Sequence, residues 1–180
     1  RADVILQIHY HPSGKPERDR SRIGLHFCRT PVKQTLQWNG AANLDFRLTA
    51  GRSRIEVHAS WYVPVDVVAL AVAPHMHALG HDMTMSVTFP DGRRTNLIRI
   101  ADWDVAWQNT YYFEQPLDLP RGSIVRVVAH FDNSSSNPSN PSRPPRAVGQ
   151  GEGSTDEMCV GYIAVVKKGQ DLTVAGTRDD

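Results

Sequence analysis

Two histidines, His75 and His77, stand one residue apart in Pro74-His75-Met76-His77, directly after the apolar run Val67 to Ala73. In an extended backbone, residues i and i+2 point to the same face. The pair can therefore turn two imidazoles toward one point, and imidazole is the commonest protein metal ligand. The same spacing also serves two unrelated polar residues at a strand end. A metal would need a third donor, and the chain has four methionines. Met76 alternates away from the histidines. Met83 and Met85 sit in the next run and most simply fill a core. Met158 lies in Asp156-Glu157-Met158-Cys159, where a polar loop rejoins an apolar strand. Two imidazoles and a thioether suit copper, the sulfur favouring Cu(I); zinc usually takes a carboxylate or thiolate.

Other candidates read more plainly. His9 and His11 are a second i, i+2 pair, read as structural, with a weak secondary metal site as the alternative. His130 ends a strand and could line a site, whereas His26, His58 and His81 read as structural or surface residues. Asp156 and Glu157 alternate and cannot share a proton site, so a supporting hydrogen bond to a copper histidine suits them better. Asp102-Trp103-Asp104 lacks the glycine and distal glutamate of a calcium loop and reads as a turn. Asn133-Ser134-Ser135 has the form of a glycosylation acceptor.

The elements that must position these residues are short runs of Val, Ile, Thr and aromatics separated by Gly, Pro, Asn and Asp. Strands are expected over Val4–Tyr10, Ile23–Arg29, Ile55–Tyr62, Val67–Ala73, Asp82–Phe89, Arg94–Ile100, Thr110–Glu114, Ser123–Phe131 and Met158–Lys167. Pro90-Asp91-Gly92 is a hairpin turn. No stretch shows a sustained helical period, so the fold class is all-β, an antiparallel two-sheet sandwich. The segment 133–153 is a Pro/Ser/Asn-rich loop, expected to lie over a sheet edge without joining it; residues 168–180 form a tail.

At 180 residues with 40% apolar content, the chain reads as one domain spanning 1–180. A net charge of +1 gives no electrostatic case for nucleic acid. No apolar run reaches the roughly 18 residues of a membrane span. The chain opens at Arg1 on a strand-like run, so it reads as a piece of a longer protein. Cys28 and Cys159 can form one disulfide in an oxidising compartment or remain thiols.

Four segments, in order, give a family likeness: Leu6-Gln7-Ile8-His9-Tyr10, Gly24-Leu25-His26-Phe27, His75-Met76-His77-Ala78-Leu79-Gly80, and Asp156-Glu157-Met158-Cys159 with Tyr162 beyond it. Together they resemble the C-terminal domain of the copper type II ascorbate-dependent monooxygenases, the peptidylglycine and dopamine hydroxylases and their bacterial relatives. The resemblance implies a jelly-roll sandwich with copper on His75, His77 and Met158, and Tyr162 in the substrate pocket. It also implies O2 and an ascorbate-type reductant as co-substrates, an upstream electron-donor domain, and an extracytoplasmic (periplasmic or secreted) location. Three positions depart from the pattern. Ala73 stands where the peptide hydroxylases have a carboxylate-binding arginine, Val160 where they have an asparagine, and His130 aligns with the cysteine that would pair with Cys159. A glycine-terminated peptide substrate is therefore not implied. A non-catalytic copper or electron-relay module is the alternative reading.

Overall fold

The computed structural model describes residues 3–6, 8, 10 and 13–174, in two compact units, Arg1–Pro31 and Val32–Asp180. The second unit is all-β, with ten strands among the described residues. They are β1 (Gln37–Asn43), β2 (Arg47–Leu48), β3 (Ile55–Tyr62), β4 (Val67–His75), β5 (Gly80–Thr88), β6 (Arg94–Ile100), β7 (Tyr111–Leu119), β8 (Ile124–Phe131), β9 (Val148–Gly149) and β10 (Cys159–Lys167). One four-stranded sheet runs β1-β10-β4-β7 and the other β3-β8-β5-β6, with β2 and β9 paired as a small ribbon. Among the eight longer strands, only β5 to β6 continues within one sheet, through the hairpin at Pro90-Asp91-Gly92, where Gly92 has φ +85°. Every other step crosses between sheets.

The sheets face each other across one core that includes Val57, Ala59, Met83, Met85, Val127, Phe131 and Ile163. The layers come close together at Gly161 on β10. A Cβ there would come within 2.6 Å of Val127 Cγ2 and 2.7 Å of Met85 Cε, so only glycine fits between the layers. Cys159, Gly161 and Ile163 thus turn inward. By the two-residue alternation of a strand, Val160 and Tyr162 turn to the opposite face of that sheet. Met83 and Met85 are fully buried in the core, as expected of them, and so is Met76, which alternation turns away from the histidines.

Several expected elements differ. The described residues of Val4–Tyr10 form no strand, nor does Ile23–Arg29; Gln7, His9 and His11 lie outside the described residues. Ile5, Leu6, Ile23, Leu25 and Phe27 are all exposed. Alternation makes a strand only where a ladder partner and a buried face complete it, and among the described residues here neither is present. Within this unit Asp19 Oδ2 accepts from Tyr10 Oη at 2.8 Å and Ser21 Oγ at 2.6 Å. Conversely β1, Gln37-Trp38-Asn39-Gly40-Ala41-Ala42-Asn43, has weak strand propensity and forms because β10 offers it a full ladder, from Gln37–Val165 to Asn43–Cys159. β7 runs on through Pro116 to Leu119, which an edge strand tolerates because one side needs no N–H donor.

The loop 133–153 stays out of both main sheets, but its Val148 and Gly149 join β2, and Gln150 bridges Glu157. It is organised by buried asparagines. Asn133 Nδ2 donates to the carbonyls of Leu48 at 3.1 Å and Arg146 at 2.7 Å, and Asn140 Nδ2 donates to Asn133 Oδ1 at 3.0 Å. Asn133 is fully buried with its amide engaged, so it is no accessible glycan acceptor. Of the two readings of the cysteines, the structure has free thiols, with Cys28 exposed rather than buried and Cys159 in the core. Burial, with the charge of Glu157, pushes the Cys159 thiol up to about 12, which leaves it unreactive at neutral pH.

Candidate metal centre

β4 ends at His75, and His77 lies just beyond in the turn that leads into β5. The two rings are brought together, with centroids 5.2 Å apart and planes nearly perpendicular at 86°. His75 is paired across the ladder with Val160, which places it on the face of the sheet away from the core. Tyr162 lies on that same face, its ring 6.3 Å from that of His75. Tyr162 in turn pairs with Ala73, so the site's tyrosine has a methyl group rather than a cation beside it.

Each imidazole is anchored through Nδ1. The Nδ1 of His75 lies 2.5 Å from Gln108 Oε1, and that of His77 lies 2.9 Å from the backbone carbonyl of Asp156. Both partners are acceptors only, so each ring must carry its proton on Nδ1. The lone pairs are then on Nε2, the tautomer a metal-ligating histidine needs when its other nitrogen is held. Burial draws the pKa of His75 below the ordinary imidazole range; the Gln108 hydrogen bond opposes the shift and neighbouring His77 adds to it.

Met158 is half-buried and lies immediately before β10, with the parity of Val160 and Tyr162. The β10–β4 ladder ends at Val160–His75, two residues from both Met158 and His77. The backbone around it is fixed by Glu157, which is buried and accepts three N–H groups: Leu79 at 2.6 Å, His77 at 2.8 Å and Met158 at 3.3 Å. Burial raises the pKa of Glu157, against the lowering by these N–H groups and by His77. Asp156 and Glu157 therefore do support a candidate ligand, with a difference from expectation. The Asp156 backbone, not its carboxylate, meets the imidazole, and the Glu157 carboxylate meets the histidine's backbone.

Two further residues were not legible as site components. Gln108 is held by its own Nε2, which donates to the Val105 carbonyl at 2.9 Å. Trp103 Nε1 donates to the carbonyl of His77 at 3.0 Å. Trp103 explains the glycine of His-x-His-x-x-Gly, because a Cβ on Gly80 would lie 2.6 Å from Trp103 Cδ1 and 3.0 Å from Met76 Cβ.

His130 is not brought to this centre. It sits on β8 of the other sheet, with Nδ1 2.8 Å from Asp82 Oδ1 and Nε2 3.0 Å from Glu56 Oε2. His58 and His81 extend that network, to Glu56 at 2.8 Å and Asp82 at 2.9 Å. Among the described residues no group of three or more His, Cys, Asp or Glu side chains is arranged to hold a metal. The His75–His77–Met158 set has only two donors of those types. It could hold copper only through the thioether.

No curated protein matches the chain. Among solved structures it is similar to the infectious bursal disease virus VP2 subviral particle, at 12% identity over 78% of this chain and 34% of that one, with a TM-score of 0.33. It is similar also to the structure of the Gx strain of infectious bursal disease virus, at 12% identity over 83% of this chain and 38% of that one, again with a TM-score of 0.33. The chain spans little more than a third of those chains, and likenesses of this strength carry no argument about function. A family model is informative: residues 62–173 match the copper type II ascorbate-dependent monooxygenase, C-terminal domain. That span is more than half of the chain and holds His75, His77, Met158 and Tyr162, and the chain belongs to this family.

Proposed function

We propose that this chain is the copper-binding part of an extracytoplasmic monooxygenase, in which His75, His77 and Met158 hold one copper ion. The observation that carries the reading is the pair of Nδ1 anchors, which leave both Nε2 lone pairs free on neighbouring rings. Two imidazoles and a thioether match copper in softness and tolerate both oxidation states. Copper, when bound, supplies one-electron chemistry with O2. The net reaction inserts one oxygen atom of O2 into a substrate C–H bond and releases the other as water. The two electrons and two protons required come from an external, ascorbate-type reductant through an upstream donor domain.

The chain's own residues do the positioning. Gln108 and the Asp156 carbonyl orient the imidazoles, Glu157 and Trp103 hold the backbone of His77, and Tyr162 borders the place where substrate would lie. Ala73, beside Tyr162, has no guanidinium to pair with a substrate carboxylate. The substrate of this reading is therefore not a glycine-terminated peptide. The test is copper stoichiometry alongside reductant-dependent O2 consumption, for the parent chain and for His75→Ala/His77→Ala. One copper per chain, lost in the double variant together with O2 consumption, is expected. An unaltered copper content in the double variant overturns the assignment.

A further inference from the structure

Metal-bound histidines commonly pass their second N–H to a carboxylate, which makes the imidazole a stronger donor. Here both rings meet neutral oxygens, the amide of Gln108 and the backbone carbonyl of Asp156. A carboxylate is available close by, yet Glu157 is turned wholly to backbone N–H groups. The Gln108 amide is aimed by a bond of its own, because its Nε2 donates to the Val105 carbonyl. A flipped amide would set oxygen against oxygen at Val105. Its orientation is thus determined by the fold and not by His75 alone.

We propose that Gln108 is the positioning residue that fixes His75 in its Nδ1–H form and, being uncharged, keeps that imidazole a weak enough donor to poise bound copper toward Cu(I). The first half concerns the copper-free protein alone; the second rests on the copper reading of His75. A neutral acceptor leaves less electron density on Nε2 than a carboxylate does, and electron-rich imidazoles favour Cu(II) over Cu(I). The thioether of Met158 pulls the same way. Both neutral anchors and the soft sulfur then act together, and Gln108 is the only one of the two anchors that a side-chain substitution can change.

The test compares Gln108→Leu and Gln108→Glu with the parent. Long-range nitrogen–proton NMR on copper-free protein at about pH 9, above the imidazole range, reads the His75 tautomer. The parent and Gln108→Glu should show Nδ1–H, and Gln108→Leu a mixture. An Nε2–H form in the parent, or an unchanged His75 in Gln108→Leu, overturns the positioning role. Cu(I) and Cu(II) affinities are then measured by competition with chelators. Gln108→Glu should favour Cu(II) over Cu(I) by about tenfold more than the parent, and Gln108→Leu should weaken both by about tenfold, in the range typical of groups that orient a metal ligand. An unchanged ratio in Gln108→Glu overturns the poise. If the parent binds no copper, the copper reading and the poise built on it both fail, while the NMR result still decides the positioning role.

Discussion

The carboxylate of Glu157, two residues ahead of β10, accepts the backbone N–H of His77 at 2.8 Å. With the N–H of Leu79 at 2.6 Å, it closes the turn after β4. A buried side chain thereby supplies the acceptors that a sheet would supply elsewhere, just where the strand must stop so that His77 can turn toward His75. Glu157→Gln keeps the shape but sets an amide N–H against one of these donors. Its unfolding free energy in urea should fall by about 1–3 kcal/mol. Glu157→Ala should fall further, since both donors lose their partner. A Glu157→Gln protein as stable as the parent would show that these bonds do not hold the turn.

Gly80 and Trp103 form the second support. Gly80→Ala should displace the indole and cost about 1–3 kcal/mol, as overpacked sites do. Loss of the Trp103–His77 bond should also weaken copper binding and shift tryptophan emission. Gly161→Ala provides the contrast, since its clash with Val127 and Met85 lies within the core. It should destabilise the fold with less effect on copper affinity. Equal loss of affinity per unit of lost stability in the two variants would argue against a specific role for Trp103.

The network around His130 sets the response to acid. Hydrogen bonds from His58 and His130 hold Glu56 below its usual pKa. For Asp82, partial burial pushes upward, and the hydrogen bonds from His130 and His81 with the charges of His130 and Arg54 outweigh it, so its pKa is also lowered. A depressed carboxylate contributes stability that is fully present above its unfolded pKa, about 4. The contribution is lost as pH falls through the lower folded value. Stability measured from pH 6 down to pH 2 should therefore drop below about pH 4, and His130→Leu should flatten that drop. An identical acid profile in the variant would remove His130 from the account.

Much of the frame could be read from the residues, and the exceptions have physical causes. The run Val67 to Ala73 and the inward turn of Met76 follow from alternation, which burial on one face enforces. Ile55–Tyr62 and Arg94–Ile100 match their strands residue for residue. β1 escaped because its Asn, Gly and Ala residues carry little strand preference of their own; its partner β10 decides. Ile23–Arg29 misled for the opposite reason, since good alternation finds no ladder. At the centre, His75 and His77 announce themselves by spacing. Gln108 cannot, because a lone amide in a turn gives no pattern until the fold sets it beside His75. The glycine of the histidine motif was visible, but its reason, the indole of Trp103, was not.

The central claim is that Met158 completes a copper site with His75 and His77. X-ray absorption on Cu(I)-loaded protein tests it most directly. Two nitrogen scatterers and one sulfur are expected in the parent, with loss of the sulfur and retention of the nitrogens in Met158→Leu. A sulfur scatterer that survives in Met158→Leu, or a parent spectrum without sulfur, would contradict it.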